Sequence, residues 1–320
     1  MAATRYIETP CKTAVNRVQG GMPFRWSLNP YRGCRHGCGY CYARVSHTYL
    51  GHDAGRDFDE IIYVKTNVAA VLRRELARPG WAGESIAIGT ATDPYQPAEG
   101  RYRLTRACLE ALVAARNRAS VTTKGTLVVR DADLLGELAR VAGGGVSISL
   151  ITLDQGVWRA LEPGAPPPRQ RLRALARLAA AGVPVGLALA PVLPGLTDKP
   201  DQLAAVVQAA ADHGAQWLWS GTLHLEPAVR DVLLAALARH FPAVAPAYAR
   251  IYGEIGGAGA RYTPRWQAER IQARVRELQA RYDLAERRRP ARQAGERPVT
   301  DATPRLVLPV AGAEQLPLPW

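Results

Sequence analysis

The run LAAAGVPVGLALAPVLPGLT, Leu178 to Thr197, carries no charged residue. Taken as one span it suggests a membrane helix, but Pro184, Pro191 and Pro194, with Gly182, Gly186 and Gly195, break any helix long enough to cross a bilayer. A helix end, a buried strand and a loop fit it better. The stretches on either side follow the same rule. SIAIGT (85–90), SVTTKG (120–125), VSISLIT (146–152), VPVGLALAP (183–191) and QWLWSGTLHL (216–225) read as buried strands. Between them, LTRACLEALVAAR, DADLLGELARV, RQRLRALARLAAAG, KPDQLAAVVQAAADHG and PAVRDVLLAALARHF have helical period, several ending in glycine.

Near-continuous apolar strands alternating with helices mean a parallel sheet covered by helices, since parallel strands need crossover connections. With FRWSLNP near Phe24 as a first strand, the count predicts an α/β fold, a partial (β/α)6 TIM-like barrel whose chemistry lies at the C-terminal strand ends. A flavodoxin-like doubly wound sheet is the alternative, because strand order is invisible in sequence. The expected organisation is an N-terminal segment over 1–22, the barrel over 23–244, a C-terminal helical extension over 245–284 and a flexible Pro/Arg-rich tail over 285–320.

Composition narrows the class. A 320-residue chain with 48% apolar residues can bury a real core. The net charge of +13 rests on 41 basic residues, of which only Lys12, Lys65, Lys124 and Lys199 are lysines; it permits phosphate contacts without requiring them. Five cysteines and no leading apolar stretch point to a reducing, cytoplasmic setting without disulfides. Cys108 sits in a helical apolar pattern and reads as a small buried hydrophobe.

NPYRGCRHGCGYCYAR places Cys34, Cys38 and Cys41 at spacing C-x3-C-x2-C directly after the first predicted strand. Three thiolates on one tight loop suit three corners of a [4Fe-4S] cube, with Gly33, Gly37 and Gly39 letting the backbone wrap it; the fourth iron then has no local thiolate. Two alternatives stand beside this. Cys34, Cys38 and Cys41 with His36 or His47 suit a zinc knuckle, and Cys38 with Cys41 suits a thioredoxin-like redox pair that leaves Cys34 unexplained.

The spacing resembles that of the radical S-adenosylmethionine (SAM) superfamily. The resemblance implies an open iron that chelates SAM, reductive cleavage to a 5′-deoxyadenosyl radical, and an aromatic residue, here Tyr40, packed near the adenine. From about Asn29 to Leu196 the chain more narrowly resembles the spore photoproduct lyase branch, including its DNA repair photolyase-like relatives, through the cysteine loop, TATDP, TTKG, SIS, LEPG with a downstream RL at Arg171, AAAG and LALAP. That likeness places Thr92 by the cofactor's amino group, Lys124 on its carboxylate and Ala190 near it. Asp93 joins this cofactor-binding set as part of the TATDP turn. Ser147 and Ser149 share one face of a strand by the period of two, so inward hydroxyls would suit the ribose or methionine groups of the cofactor, or else the two serve as small packing residues. Tyr40 and Tyr42 flank Cys41 as tyrosines do in the lyase, which makes Tyr42 the candidate catalytic radical relay. One departure matters: the lyase has a cysteine that returns a hydrogen atom where this chain has Thr90, whose O–H bond is too strong for that role.

The expected function is therefore a radical SAM enzyme with a [4Fe-4S] cluster and SAM as cofactors, and an external electron donor of ferredoxin or flavodoxin type. Its substrate is unidentified, with DNA or RNA as the family-based candidate and no membrane partner. Tyr248, Tyr252, Tyr262, Trp266 and Tyr282, interleaved with arginines, would suit stacking on bases, or else pack on the barrel. The alternative is a non-enzymatic zinc or iron–sulfur nucleic-acid-binding protein.

Overall fold

A computed structural model describes residues 3–18, 24–252 and 261–286. Among the described residues there are eleven short strands: β1 (Arg5–Thr9), β2 (Val15–Arg17), β3 (Trp26–Leu28), β4 (Tyr31–Arg32), β5 (Ile61–Lys65), β6 (Ile86–Ile88), β7 (Ala119–Thr123), β8 (Gly144–Ser149), β9 (Val185–Val192), β10 (Trp217–Thr222) and β11 (Ala285–Glu286). Eight of them make one sheet in the order β11-β10-β9-β8-β7-β6-β3-β2. From β3 through β6 to β10 the neighbours follow chain order and every pair is parallel. A sheet without reversal of strand order is singly wound, so the six βα units form a partial barrel and the flavodoxin-like alternative, which needs a switch point, is overturned. The edges β2 and β11 are not paired with each other.

The two faces of this sheet are unlike. Outward-facing Ile86, Ile88, Val121, Val146, Ile148, Val185, Leu187, Leu189 and Leu218 are all nearly inaccessible and belong to the main core. They meet apolar stripes of the covering helices, such as Leu109 and Leu112 of Leu104–Ala114, Leu175 and Leu178 of Pro168–Ala180, and Val206 and Val207 of Pro200–Asp212. Each such side chain contributes about 1.5–3 kcal/mol on burial. By the period of two, the inward positions of the same strands are Ala87, Ser120, Thr122, Ser147, Ser149, Gly186, Ala188 and Ala190. Closed TIM barrels fill that space with bulky branched residues. Here small residues line it, and the large indoles of Trp217 and Trp219 on β10 project into it.

The uncharged run Leu178–Thr197 resolves into the end of the Pro168–Ala180 helix, β9 and a loop, as expected. No helix among the described residues is long and apolar enough to cross a membrane.

The chain ends differ from the sequence reading. The N-terminal segment over 1–22, for which no strand was read, supplies β1, which pairs in parallel with β5 in a separate three-stranded sheet β1-β5-β4, and β2, which pairs antiparallel with β3. The helical piece over 245–284 forms two helices, Ala245–Tyr252 and Arg265–Arg281. Ile271, Val275, Leu278 and Leu284 join the main core, so this piece is part of the barrel's outer layer rather than an appendage. The Arg265–Arg281 helix also lies along the open side of β10, where Gln279 Nε2 donates to the Leu218 carbonyl (2.9 Å) and Gln272 Nε2 to that of Ser220 (3.5 Å). Of the expected flexible tail, Ala285–Glu286 form β11, and 287–320 lie outside the described residues.

Candidate active site

The cysteine loop leaves β4 through Gly33, whose φ of +84° and whose missing Cβ, which would stand 2.6 Å from the Ile61 carbonyl, admit only glycine. The loop then turns repeatedly: the Cys34, Cys38 and Cys41 carbonyls accept from the N–H groups of Gly37 (3.3 Å), Cys41 (3.2 Å) and Arg44 (3.2 Å). Buried Arg44 fixes its far end, donating to the carbonyls of Cys38 (2.8 Å), Ala54 (2.9 Å) and Gly55 (2.7 Å) and to both Asp59 oxygens (2.8 and 3.0 Å). LEPG (161–164) backs the loop. The Gly39 N–H donates to the Leu161 carbonyl (2.9 Å), the Gly164 N–H donates to the His36 carbonyl (3.0 Å), and a Cβ on Gly164 would fall 2.1 Å from the Arg35 carbonyl.

Gly39 is buried, yet a Cβ built on it would meet nothing within 4 Å. Unfilled space therefore lies at this position of the loop, between Cys38 and Cys41 in sequence. Burial raises the pKa of each thiol, that of Cys38 to about 12, so metal ligation is what would deprotonate them. Three soft donors on one loop with open space at Gly39 fit an iron–sulfur cube, in which each sulfur takes its own iron. Among the described residues no three His, Cys, Asp or Glu side chains converge on a single ion position, as a zinc knuckle requires. His47 Nε2 lies 2.9 Å from the Ile61 carbonyl and His36 Nδ1 3.2 Å from Asp93, so both imidazoles already have other partners.

The strand-end residues divide. Asp93 is enclosed: it accepts from Thr123 Oγ1 (2.6 Å) and from the N–H groups of Lys124 (2.7 Å) and Tyr95 (2.9 Å), with His36 Nδ1 at 3.2 Å. Burial alone would raise its pKa, but His36, Thr123 and the Lys124 N–H together hold it well below the usual carboxylate range. Both oxygens have protein partners, through which Asp93 ties the β6 and β7 ends together. The Thr92 hydroxyl is likewise committed, donating to the Gly33 carbonyl (2.6 Å) and accepting from Gln96 Nε2 (2.8 Å). Ser147 lies deep in the barrel, where it accepts from Trp217 Nε1 at 3.2 Å. Ser149 is buried on the same face, and Ala190 lies beside Gly221 of the neighbouring strand β10.

Tyr40 is buried and donates its hydroxyl to Glu162; Tyr42 is 37% exposed and donates to the Thr90 carbonyl. Lys124 Nζ stands 3.9 Å from Glu162 Oε1 and 5.8 Å from the Tyr40 ring centre. Glu162 and Arg171, which sequence reasoning quoted only within a resemblance, form a fully buried pair at 2.5 Å. Arg171 also donates to the carbonyls of Pro166 (2.7 Å) and Ser149 (3.1 Å). The loop-to-strand ties made by His36 and Gln96 were also missed, and nothing in their spacing signals them. Of the interleaved aromatics, Tyr248 and Tyr252 are buried, Tyr262 stacks on His224 at 4.5 Å, and Trp266 is 64% exposed.

An open parallel barrel with three thiols on the loop after its first strand defines a class of iron–sulfur enzymes. Residues 28–207 match the family model described as the Radical SAM superfamily. The chain is 42% identical over 288 residues to "Uncharacterized protein Rv2578c" of Mycobacterium tuberculosis, covering 89% of this chain and 83% of that protein. It superposes on spore photoproduct lyase with a TM-score of 0.61 at 15% identity, covering 87% of this chain and 79% of the other. The lyase with bound AdoMet and dinucleoside spore photoproduct gives 0.60 at 17% identity over the same shares. The chain belongs to the radical SAM superfamily, and is an enzyme whose cofactors are a [4Fe-4S] cluster and SAM.

Proposed function

We propose that this enzyme takes one electron from an external donor of ferredoxin or flavodoxin type in the cytoplasm and uses SAM to abstract a hydrogen atom from a nucleic-acid substrate. The observation that carries the reading is the cysteine loop itself, with Cys34 and Cys38 buried, Cys41 half-buried, open space at Gly39 and ties from behind to LEPG. Nucleic acid as the substrate class is supported by the fold shared with the lyase, whose structure holds a dinucleoside photoproduct, and by the net charge of +13.

Cys34, Cys38 and Cys41 would hold the cluster, and Gly39 leaves room beside it. The Lys124 ammonium pairs with the cofactor's carboxylate, with Ser149 and Ala190 lining the interior beyond it. Tyr40 sits below Lys124 with its hydroxyl anchored on Glu162. Asp93 and Thr92 hold the backbone of these elements in place. Tyr42 stands at the mouth beside Thr90, so a hydrogen atom returned to product would pass through a phenol rather than a thiol. When bound, the cluster and SAM together supply a carbon-centred radical able to break a C–H bond.

Anaerobic reconstitution with iron and sulfide tests this. A brown protein that forms 5′-deoxyadenosine from SAM under reduction supports it, and labelled SAM incubated with separated cell fractions then shows whether nucleic acid gains or loses label. A colourless zinc protein without SAM turnover overturns it.

A further inference from the structure

Glu162 and Arg171 have side-chain exposures of 1% and 0%. Removing two charges from water costs several kcal/mol per ion, so such a pair persists only with close geometry and further bonds. Here the further bonds lead toward the cofactor site. Glu162 Oε2 accepts from Arg171 at 2.5 Å, while Oε1 accepts the hydroxyl of Tyr40, the neighbour of Cys41. Lys124 Nζ, at the end of β7, stands 3.9 Å from that same Oε1. A charge-assisted hydrogen bond is closer, about 2.7–2.9 Å. Lys124 is therefore held near the carboxylate without being bound by it, and Arg171 already neutralises Glu162. The Lys124 ammonium is thus left within Coulomb reach of Cys38 and Cys41, with no close hydrogen bond to Glu162.

We propose that Glu162, fixed by Arg171, is a positioning residue that holds Lys124 and Tyr40 over the cofactor site and acts on the carboxylate of SAM through the lysine. This rests on the assignment of Lys124 to that carboxylate. Glu162 itself touches no cofactor atom in this scheme. Were its charge removed, buried Arg171 and half-buried Lys124 would face each other as like charges, and their repulsion would drive the lysine aside. Burial works against a charged Glu162, but Arg171 and Lys124 outweigh it and lower its pKa.

The test measures binding rather than turnover, by equilibrium dialysis of the reconstituted holoprotein against SAM and against decarboxylated SAM, which lacks the group Lys124 would meet. Glu162→Gln is expected to weaken SAM about tenfold while changing decarboxylated SAM less than about twofold. Lys124→Met should show the same selectivity, and the double variant should be no worse than either single one. If Lys124→Met fails to discriminate between the two ligands, the assignment of the lysine falls and this inference with it. If Lys124→Met discriminates while Glu162→Gln weakens both ligands alike, changes neither or tightens SAM, the lysine stands and only the role of Glu162 is overturned. Should Glu162→Gln not take up the cluster, Tyr40→Phe decides, since it removes one bond to Glu162 and no charge. A loss of about threefold confined to SAM supports the proposal, and an equal or absent loss overturns it.

Discussion

The two ends of the barrel are built from opposite materials. At the floor, Trp217 lies where Cβ atoms on Gly145 and Gly186 would come within 2.7 and 2.4 Å of its ring, and its one polar atom is bonded to Ser147. At the rim, Asp93, His36, Lys124, Glu162 and Arg171 are brought together with scarcely any water. The floor is sealed by shape, whereas the rim is organised by charge around the space beside the cysteines. Stability at the strand N-termini and chemistry at their C-termini is the division a βα barrel allows. Variants at the rim should therefore alter cofactor behaviour, and variants at the floor should alter stability alone.

The largest contrast is expected from Cys38→Ala, which should abolish the brown colour after reconstitution and all 5′-deoxyadenosine formation, followed by absorbance and chromatography. Asp93→Asn should come next, costing about 3 kcal/mol at neutral pH in denaturant unfolding, because an amide cannot accept from all the donors gathered there. The sign of its pH dependence follows from a folded pKa below the unfolded value. Its contribution is present in full above the ordinary carboxylate value of about 3.9 and is lost as pH falls through the folded one. The gap between wild type and variant should thus be level near neutrality and shrink only in acid; a gap that widened in acid would contradict the assignment. Smallest is Gly186→Ala at the floor, which forces the Trp217 ring aside for about 1–3 kcal/mol. That penalty should vanish once Trp217 is already Leu, in a double-mutant cycle of urea midpoints, with SAM affinity untouched. Lost SAM affinity in Gly186→Ala would erase the distinction between the two ends.

What could be read in advance followed from periodicity and spacing. The strands β6 to β10 announce themselves as apolar runs between helical stretches, and Cys34, Cys38 and Cys41 lie within one turn-rich loop. The sheet β1-β5-β4 did not, since RYIET is half polar and its partner strand begins 56 positions later. Period-two reasoning put Ser147 and Ser149 on the inner face but carries no information on depth, and depth puts Ser147 under an indole. Thr92 and Asp93 were read as cofactor-binding, and what spacing could not show is that they also bond Gly33 of the cysteine loop, Gln96, Thr123 and the Lys124 N–H. Glu162 escaped because its meaning lies in Tyr40, 122 positions away, and in a lysine on another strand.

The glutamines Gln272 and Gln279 carry a consequence for handling the protein. An open sheet leaves a last strand able to recruit a foreign one, and β10 has a sheet partner only along Trp217 and Leu218 on that side. Two side-chain amides, a pair of helical turns apart, cap the carbonyls that an incoming strand would seek. Exchanging both for leucine would uncover those carbonyls and convert a capped edge into a seed for edge-to-edge aggregation.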